Sequence, residues 1–224
     1  MNFYILKNNR FMIKIQSIKD KNIKNFKNKI YHISKYNQKI LIKEASLFSK
    51  WYAEENLKSS KKKTFSKKFN KIIKKLISKL NLKNDVFVHR DFHVSNLILV
   101  RDEIGVIDSQ DALIGNRAYD LASLIDDVRF KTSKSFKKKV YDYYLEKQKN
   151  LIKNKFKNDF EILSVLRNLK IIGIFTRLSL RDGKKKYIKL IPYTWELINI
   201  RIKENEVFFN LKSLLSQNFE KKIK

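Results

Sequence analysis

Apolar residues recur at three- and four-residue steps through most of this chain, and that period predicts helices. Phe65, Phe69, Ile72, Ile73, Leu76, Ile77 and Leu80 form one apolar stripe with lysines on the opposite side, an amphipathic helix. Leu41, Ala45, Phe48, Trp51 and Tyr52 mark another over 41–57. Further helical stretches fall at 119–128, 140–151, 160–180, 187–200 and 207–215, with Pro192 starting or kinking the helix read from Tyr187. The first thirty residues carry only weak periodicity. Phe3–Leu6 and Phe11–Ile15 read as short strands or as one helix, and the segment as a whole reads as a frayed lead-in.

The pattern changes between 86 and 108. Val86-Phe87-Val88 is a short β-branched and aromatic run, and 96–100 and 105–107 are two more, separated by the polar turn 101–104. Two strands joined so closely form an antiparallel hairpin, with Asn96 and Asp108 meeting at its open end. One amide oxygen and one carboxylate suit a hard cation such as Mg²⁺, which keeps several waters and takes further ligands from phosphates. Asp91 lies five residues before Asn96, placed to accept a proton from an attacking hydroxyl. His89-Arg90-Asp91, then Asn96, then a second acid at 108, has the spacing of a kinase catalytic loop and its metal-binding Asp. The competing reading has Asp91 and Asn96 capping a turn and Asp108 ending a strand. The 65–80 helix is expected to pack under the catalytic loop.

Other side chains carry two readings each. His89 shapes the loop by packing and hydrogen bonding. His93 either touches substrate or phosphate, or packs. Gln110 and Asp111 either bind the hydroxyls of a sugar-like ligand or hold the turn after Asp108. Arg177 and Arg181, one helical turn apart, either bind an acidic sugar, with Arg181 the candidate contact, or pair with carboxylates. Asp182 and Gly183 end that helix. His32 lies outside every motif, and three histidines with no cysteine do not make a zinc site.

These residues carry a family resemblance. His89-Arg-Asp-Phe-His-Val-Ser-Asn96, Gly105-Val-Ile-Asp-Ser-Gln-Asp-Ala112, Gly115 and Tyr119-Asp-Leu-Ala-Ser-Leu124 resemble the aminoglycoside phosphotransferase and choline kinase superfamily. Within it the chain is most similar to bacterial cell-wall amino-sugar kinases, which act on N-acetylmuramate and N-acetylglucosamine. The segments 41–52 and 169–184, the latter with its Arg-Asp-Gly-Lys turn, support that narrower match. The resemblance implies ATP as phosphoryl donor, Asp91 as catalytic base, Asn96 and Asp108 as Mg²⁺ ligands, and Asp120 as a structural carboxylate holding the loop. Asp108-Ser-Gln stands where protein kinases have Asp-Phe-Gly, which argues against a protein substrate.

The expected fold is α+β and mainly helical: the C-terminal lobe of a kinase, over 31–217, with a small β-hairpin carrying the site. Residues 1–30 would be a remnant of the interlobe connection and 218–224 a basic tail. A glycine-rich lid and a strand lysine paired to a glutamate are also needed to pin nucleotide phosphates. All four glycines lie at 105, 115, 173 and 183, so the N-terminal lobe is read as absent. A truncated or split kinase, weak alone and completed by a separate chain with that lobe, is one expectation. A non-catalytic ligand- or partner-binding module is the other.

Composition adds limits. At 224 residues with 43% hydrophobic and 12% aromatic content, the chain can bury a core and is not a disordered one. The net charge of +29 invites a nucleic-acid reading. Only nine of the 51 basic residues are Arg, and the lysines are spread with abundant Asn and Ile, the profile of an AT-rich coding sequence. Nucleic-acid binding is therefore not expected. No cysteine, no long apolar run and no signal-peptide pattern at the start agree with a cytoplasmic protein without a membrane span.

Overall fold

A computed structural model describes every residue except Met1, Lys21, Asn25, Asp102, Lys149, Glu204 and Lys224. In chain order the elements are α1 (Asn2–Gln16), β1 (Asn22–Lys24), β2 (Ile30–His32), α2 (Gln38–Ala45), a π-helical turn (Phe48–Ala53), α3 (Glu54–Asn56), α4 (Ser59–Ile77), β3 (Val86–Val88), a 3-10 turn (Val94–Asn96), β4 (Leu97–Val100), β5 (Glu103–Val106), β6 (Leu113–Gly115), α5 (Ala118–Ile125), α6 (Lys134–Glu146), α7 (Lys153–Leu180), a 3-10 turn (Lys185–Leu190), α8 (Ile191–Ile202) and α9 (Phe209–Asn218). Short 3-10 turns, Glu206–Phe208 and Glu220–Lys222, flank α9. The chain divides into two compact units, Met1–Asn37 with Asn81–Phe160, and Gln38–Leu80 with Glu161–Lys224.

The first unit contains the small strands. β3 pairs antiparallel with β6, Val86 opposite Gly115 and Val88 opposite Leu113. The segment before α2 adds to the other edge of β6: Tyr36 N–H donates to Ile114 O (2.8 Å) and Ile114 N–H to Ser34 O (2.8 Å). β6 and this third segment were not expected from the pattern, because three-residue runs carry no readable period. β4 and β5 form a separate antiparallel pair. Val100 pairs with Glu103, so the second strand begins two residues earlier than the 105–107 run read from sequence and takes in half of the 101–104 turn. The core of this unit is Met12, Val88, Phe92, Ala118, Tyr119, Leu121, Tyr144 and Phe156, all nearly inaccessible.

The amino-terminal segment is not frayed. α1 packs on α6 and α5. Asn8, Asn9, Met12 and Gln16 are buried along one helical stripe, so its core-facing side is largely amide. Asn9 Nδ2 donates to Val140 O (2.9 Å), Gln16 Nε2 to Arg117 O (3.0 Å), and Tyr144 OH to Gln16 Oε1 (2.6 Å). Burial drives the Tyr144 phenol well above its ordinary pKa, so it stays a donor. A stripe of buried amides has no hydrophobic period, which is why the sequence pattern understates this helix.

The second unit is helical around an aromatic cluster. Phe48, fully buried, has its ring centre within 5.2 Å of Tyr52, 5.3 Å of Phe69, 5.6 Å of Trp195 and 5.7 Å of Phe219. The apolar face of α4 packs here against α2, the π-helical turn and α9. Pro192 sits in the first turn of α8, where its missing N–H costs nothing. The expected basic tail begins instead with an anchor: Phe219 is 8% exposed within the cluster, and Asn199 Nδ2 donates to Lys222 O (2.7 Å).

Gly173 sets the approach of α7 to the turn after α2. A Cβ there would lie 2.3 Å from Leu47 C, 2.4 Å from Leu47 O and 2.7 Å from Phe48 N, all backbone atoms. Gly173→Ala must therefore push two backbones apart. It is expected to cost about 3 kcal/mol, at the upper end of overpacking penalties. Thermal unfolding measures this, and a melting temperature equal to wild type would refute the close packing.

Candidate functional site

The candidate site lies wholly in the first unit, on the loop between β3 and β4 and at the open end of the β4–β5 pair. Leu97 pairs with Val106, and Ile107 N–H donates to Asn96 O (3.0 Å). The backbone pairing thus extends one residue past each strand, setting Asn96 against Ile107, with Asp108 next. Asn96 Nδ2 donates to Asp91 O (3.1 Å), which turns its carbonyl oxygen away from that bond and leaves it as an available donor to a cation. Asp108 is exposed. Gln110 Nε2 donates to its Oδ1 (2.5 Å), leaving the other carboxylate oxygen outside that bond.

The loop carrying Asp91 is held through its backbone. Asp120, 1% exposed in the first turn of α5, accepts from His89 N–H on Oδ2 (2.7 Å) and from Arg90 N–H on Oδ1 (3.0 Å). His89, also buried, donates from Nε2 to Ile107 O (3.0 Å). A carbonyl can only accept, so Nε2 carries the proton. This bond ties the loop of Asp91 to the residue preceding Asp108. Arg90 adds a second tie: its Nη1 donates to Asp111 O (3.0 Å), while the guanidinium lies over the Tyr36 ring at 5.4 Å. Asp111 enters this network through its backbone carbonyl, and its residue is exposed.

Two backbone strains coincide with the site. Arg90 (φ 74°) and Asp108 (φ 67°) both occupy the left-handed region, unusual for residues other than glycine. Each costs on the order of 1 kcal/mol or more, and such strain gathers where surrounding contacts impose a geometry. Here the imposing contacts are the Asp120 bonds on Arg90 and the Gln110 bond on Asp108.

The remaining expected residues are placed less openly. His93 is 6% exposed, so its ring presents little surface to a ligand. Its backbone does more, donating to Asp91 O (2.9 Å) and accepting from Asn96 N–H (2.9 Å). Arg181 belongs to the second unit, and its guanidinium is engaged side by side with Asp182, Nε to Oδ1 at 2.6 Å and Nη2 to Oδ2 at 3.1 Å. That pairing holds the Asp182 carboxyl below its ordinary pKa. It matches the carboxylate-pairing reading of this arginine.

One residue of this network was not singled out from sequence. Asp127, 2% exposed, accepts from Val94 N–H on Oδ2 (3.1 Å) and from Arg129 N–H on Oδ1 (2.9 Å). The available signal is the Asp126-Asp127 pair closing the segment that opens with Asp120.

The donor set can be tested against a metal. Among the described residues no three His, Cys, Asp or Glu side chains are grouped to hold an ion by themselves. Asn96 and Asp108 are a two-donor oxygen set, which fits a divalent cation that shares phosphate and water ligands and does not fit a closed zinc site. No described helix is long and apolar enough to cross a membrane.

The N-acetylmuramate/N-acetylglucosamine kinase of Neisseria meningitidis serogroup B is 35% identical over 168 residues, covering 71% of this chain and 50% of that kinase. The enzyme of the same name from Caulobacter vibrioides is 35% identical over 120 residues, covering 51% of this chain and 33% of its own. That of Pseudomonas putida is 28% identical over 188 residues, covering 81% and 56%. The chain thus spans about half the length, or less, of these curated relatives. Among solved structures, amicoumacin kinase hAmiN in complex with AMP-PNP, Ca2+ and Ami superposes with a TM-score of 0.55 at 16% identity, over 89% of this chain and 59% of that one, a likeness of fold. Residues 34–151, more than half of the chain, match the model of the phosphotransferase enzyme family, APH. The chain belongs to that phosphotransferase family.

Proposed function

We propose that this chain works as an ATP-dependent phosphotransferase on a small hydroxylated substrate, an amino sugar of the N-acetylmuramate and N-acetylglucosamine class. The relatives' names supply the substrate class. The observation that carries the reading is the tie between the Asp91 loop and the Asn96–Asp108 end of the hairpin, through His89 to Ile107 O and Asn96 Nδ2 to Asp91 O. Asp91 orients the acceptor hydroxyl and takes its proton. Asn96 Oδ1 and Asp108 hold Mg²⁺, which when bound offsets negative charge on the nucleotide phosphates. Gln110 steadies the Asp108 carboxylate by donating to its Oδ1. Asp120 and His89 keep the loop in its strained shape, so little reorganisation is left for the reacting state.

The chain by itself is expected to be slow. Positioning of the phosphates is most of the catalysis in phosphoryl transfer. The four glycines, at 105, 115, 173 and 183, provide no glycine-rich lid over a nucleotide.

The reading is tested by Asp108→Ala. Loss of one of two protein donors to the cation is expected to weaken Mg-dependent ATP binding by at least 10-fold, the scale on which even outer partners of a metal site matter. Calorimetric titration of ATP with and without Mg²⁺ measures it. Equal affinities in wild type and variant would remove the metal role and, with it, the phosphotransferase reading of this loop.

A further inference from the structure

We propose that Asp127 is a positioning residue for the metal side of the site, setting Asn96 as Asp120 sets Asp91. This rests on the proposed phosphotransferase reading. Helix α5 carries a buried carboxylate in its first turn, Asp120, and two more follow its last residue: Asp126, which pairs with Lys137 Nζ (3.4 Å), and Asp127, which shares with Asp120 the holding of the Asp91 loop. Asp120 and Asp127 grip different halves of that loop. Asp120 takes the amides of His89 and Arg90, immediately before Asp91. Asp127 takes the amide of Val94, the first residue of the 3-10 turn that ends in Asn96.

Within that turn Asn96 N–H donates to His93 O (2.9 Å), and Leu97 N–H donates back to Val94 O. The Asn96 backbone is held by His93 O and by Ile107 N–H, the turn that carries it is closed on Val94 O by Leu97 N–H, and Val94 is anchored by Asp127. A second bond, Arg129 N–H to Asp127 Oδ1 (2.9 Å), fixes the carboxylate itself. Both oxygens are thereby spent on backbone amides, and the group is 2% exposed, so Asp127 touches neither substrate nor cation. A carboxylate in this place acts only through the ligand it orients, in the manner of the outer partners that align metal-binding side chains. A purely structural role would instead lower stability and leave metal affinity alone.

Two variants separate these possibilities. Asp127→Asn keeps the shape but offers one acceptor oxygen to two amides. Val94→Pro removes the donor itself while leaving Asp127 intact; His93 is extended (φ −125°, ψ 164°), the conformation a following proline favours. Binding of Mn²⁺ to the full chain in the presence of ATP is followed by water-proton relaxation, alongside thermal unfolding. Both variants are expected to weaken Mn²⁺ binding by about 10-fold or more while still unfolding cooperatively. A folded Val94→Pro protein with wild-type Mn²⁺ affinity overturns the proposal, even if Asp127→Asn does not fold. If wild type and Asp108→Ala show the same Mn²⁺ affinity, the metal site itself is refuted and the role of Asp127 falls with it. If Asp108→Ala weakens binding and both loop variants do not, only the Asp127 inference fails.

Discussion

Asp91→Asn is expected to lower the rate of phosphoryl transfer to an amino sugar by about 10²–10⁴, the usual value of a positioned general base. The expectation is specific because of how the loop is built. The Asp91 main-chain oxygen accepts from His93 N–H and from Asn96 Nδ2, and neither bond needs the side-chain carboxylate. The loop is held from outside by Asp120 on His89 and Arg90, and by Asp127 on Val94. An amide at position 91 therefore keeps those main-chain bonds and loses the capacity to take a proton. Mg-dependent ATP affinity should stay within about two-fold of wild type, so the loss falls on kcat, as for an interaction made in the transition state. Product formation from N-acetylglucosamine or N-acetylmuramate, read by phosphorus NMR to capture slow turnover, measures it. An Asp91→Asn protein as active as wild type would exclude Asp91 as the base. Asp108→Ala should show the opposite division, with nucleotide binding lost first.

The second large effect is on stability, at Asp159→Ala. Asp159 is fully buried near the start of α7 and accepts five hydrogen bonds. Asn81 N–H (2.8 Å), Asn81 Nδ2 (3.3 Å) and Leu82 N–H (2.8 Å) come from the segment leading into β3. Asn116 Nδ2 (2.6 Å) comes from the residue after β6, and Asn158 Nδ2 (3.0 Å) from its own helix. Asn116 in turn accepts from Ala118 N–H at the head of α5 (3.0 Å). One carboxylate thus joins the entry of β3, the exit of β6 and the start of the helix that bears Asp120. Hydrogen bonds to a charged group contribute about 1.5–3 kcal/mol each, and donors left buried and unpaired cost more than the average bond returns. Allowing for partial relaxation, the loss is about 3–5 kcal/mol, the scale seen when a buried ionic group loses its counterpart. At about 2–4 °C per kcal/mol for chains of this size, the melting temperature should fall by about 10 °C. A shift under about 2 °C would show that water replaces the carboxylate freely.

These effects have different sequence visibility. The Asp91, Asn96 and Asp108 arrangement is local. Three residues within eighteen positions are brought together by one short antiparallel pair, and both the spacing and the β-branched runs that make the pair can be read directly. Gln110 and Asp111 follow in the same stretch, and the structure puts one on Asp108 and the main chain of the other on Arg90. The long helices were legible for the same reason: Phe65, Phe69, Ile73, Leu76 and Ile77 are all buried, as their period requires.

What holds the site was less legible. Asp127 and Asp159 each hold main-chain amides far along the chain, 33 residues away for Asp127 and 77–78 for Asp159. A main-chain amide has no residue type, so no pattern of side chains announces it. α1 was misjudged because amides fill its buried face, and β6 because three residues are too few to show a period.

By itself the sequence determined that Asn96 and Asp108 come to one end of a hairpin, since a hairpin is a contact between near neighbours in the chain. Tertiary structure alone decided the division into two units, the burial of α1 and the places of Asp127 and Asp159. Those depend on where distant backbone donors come to rest, and that is fixed only once the whole chain has packed.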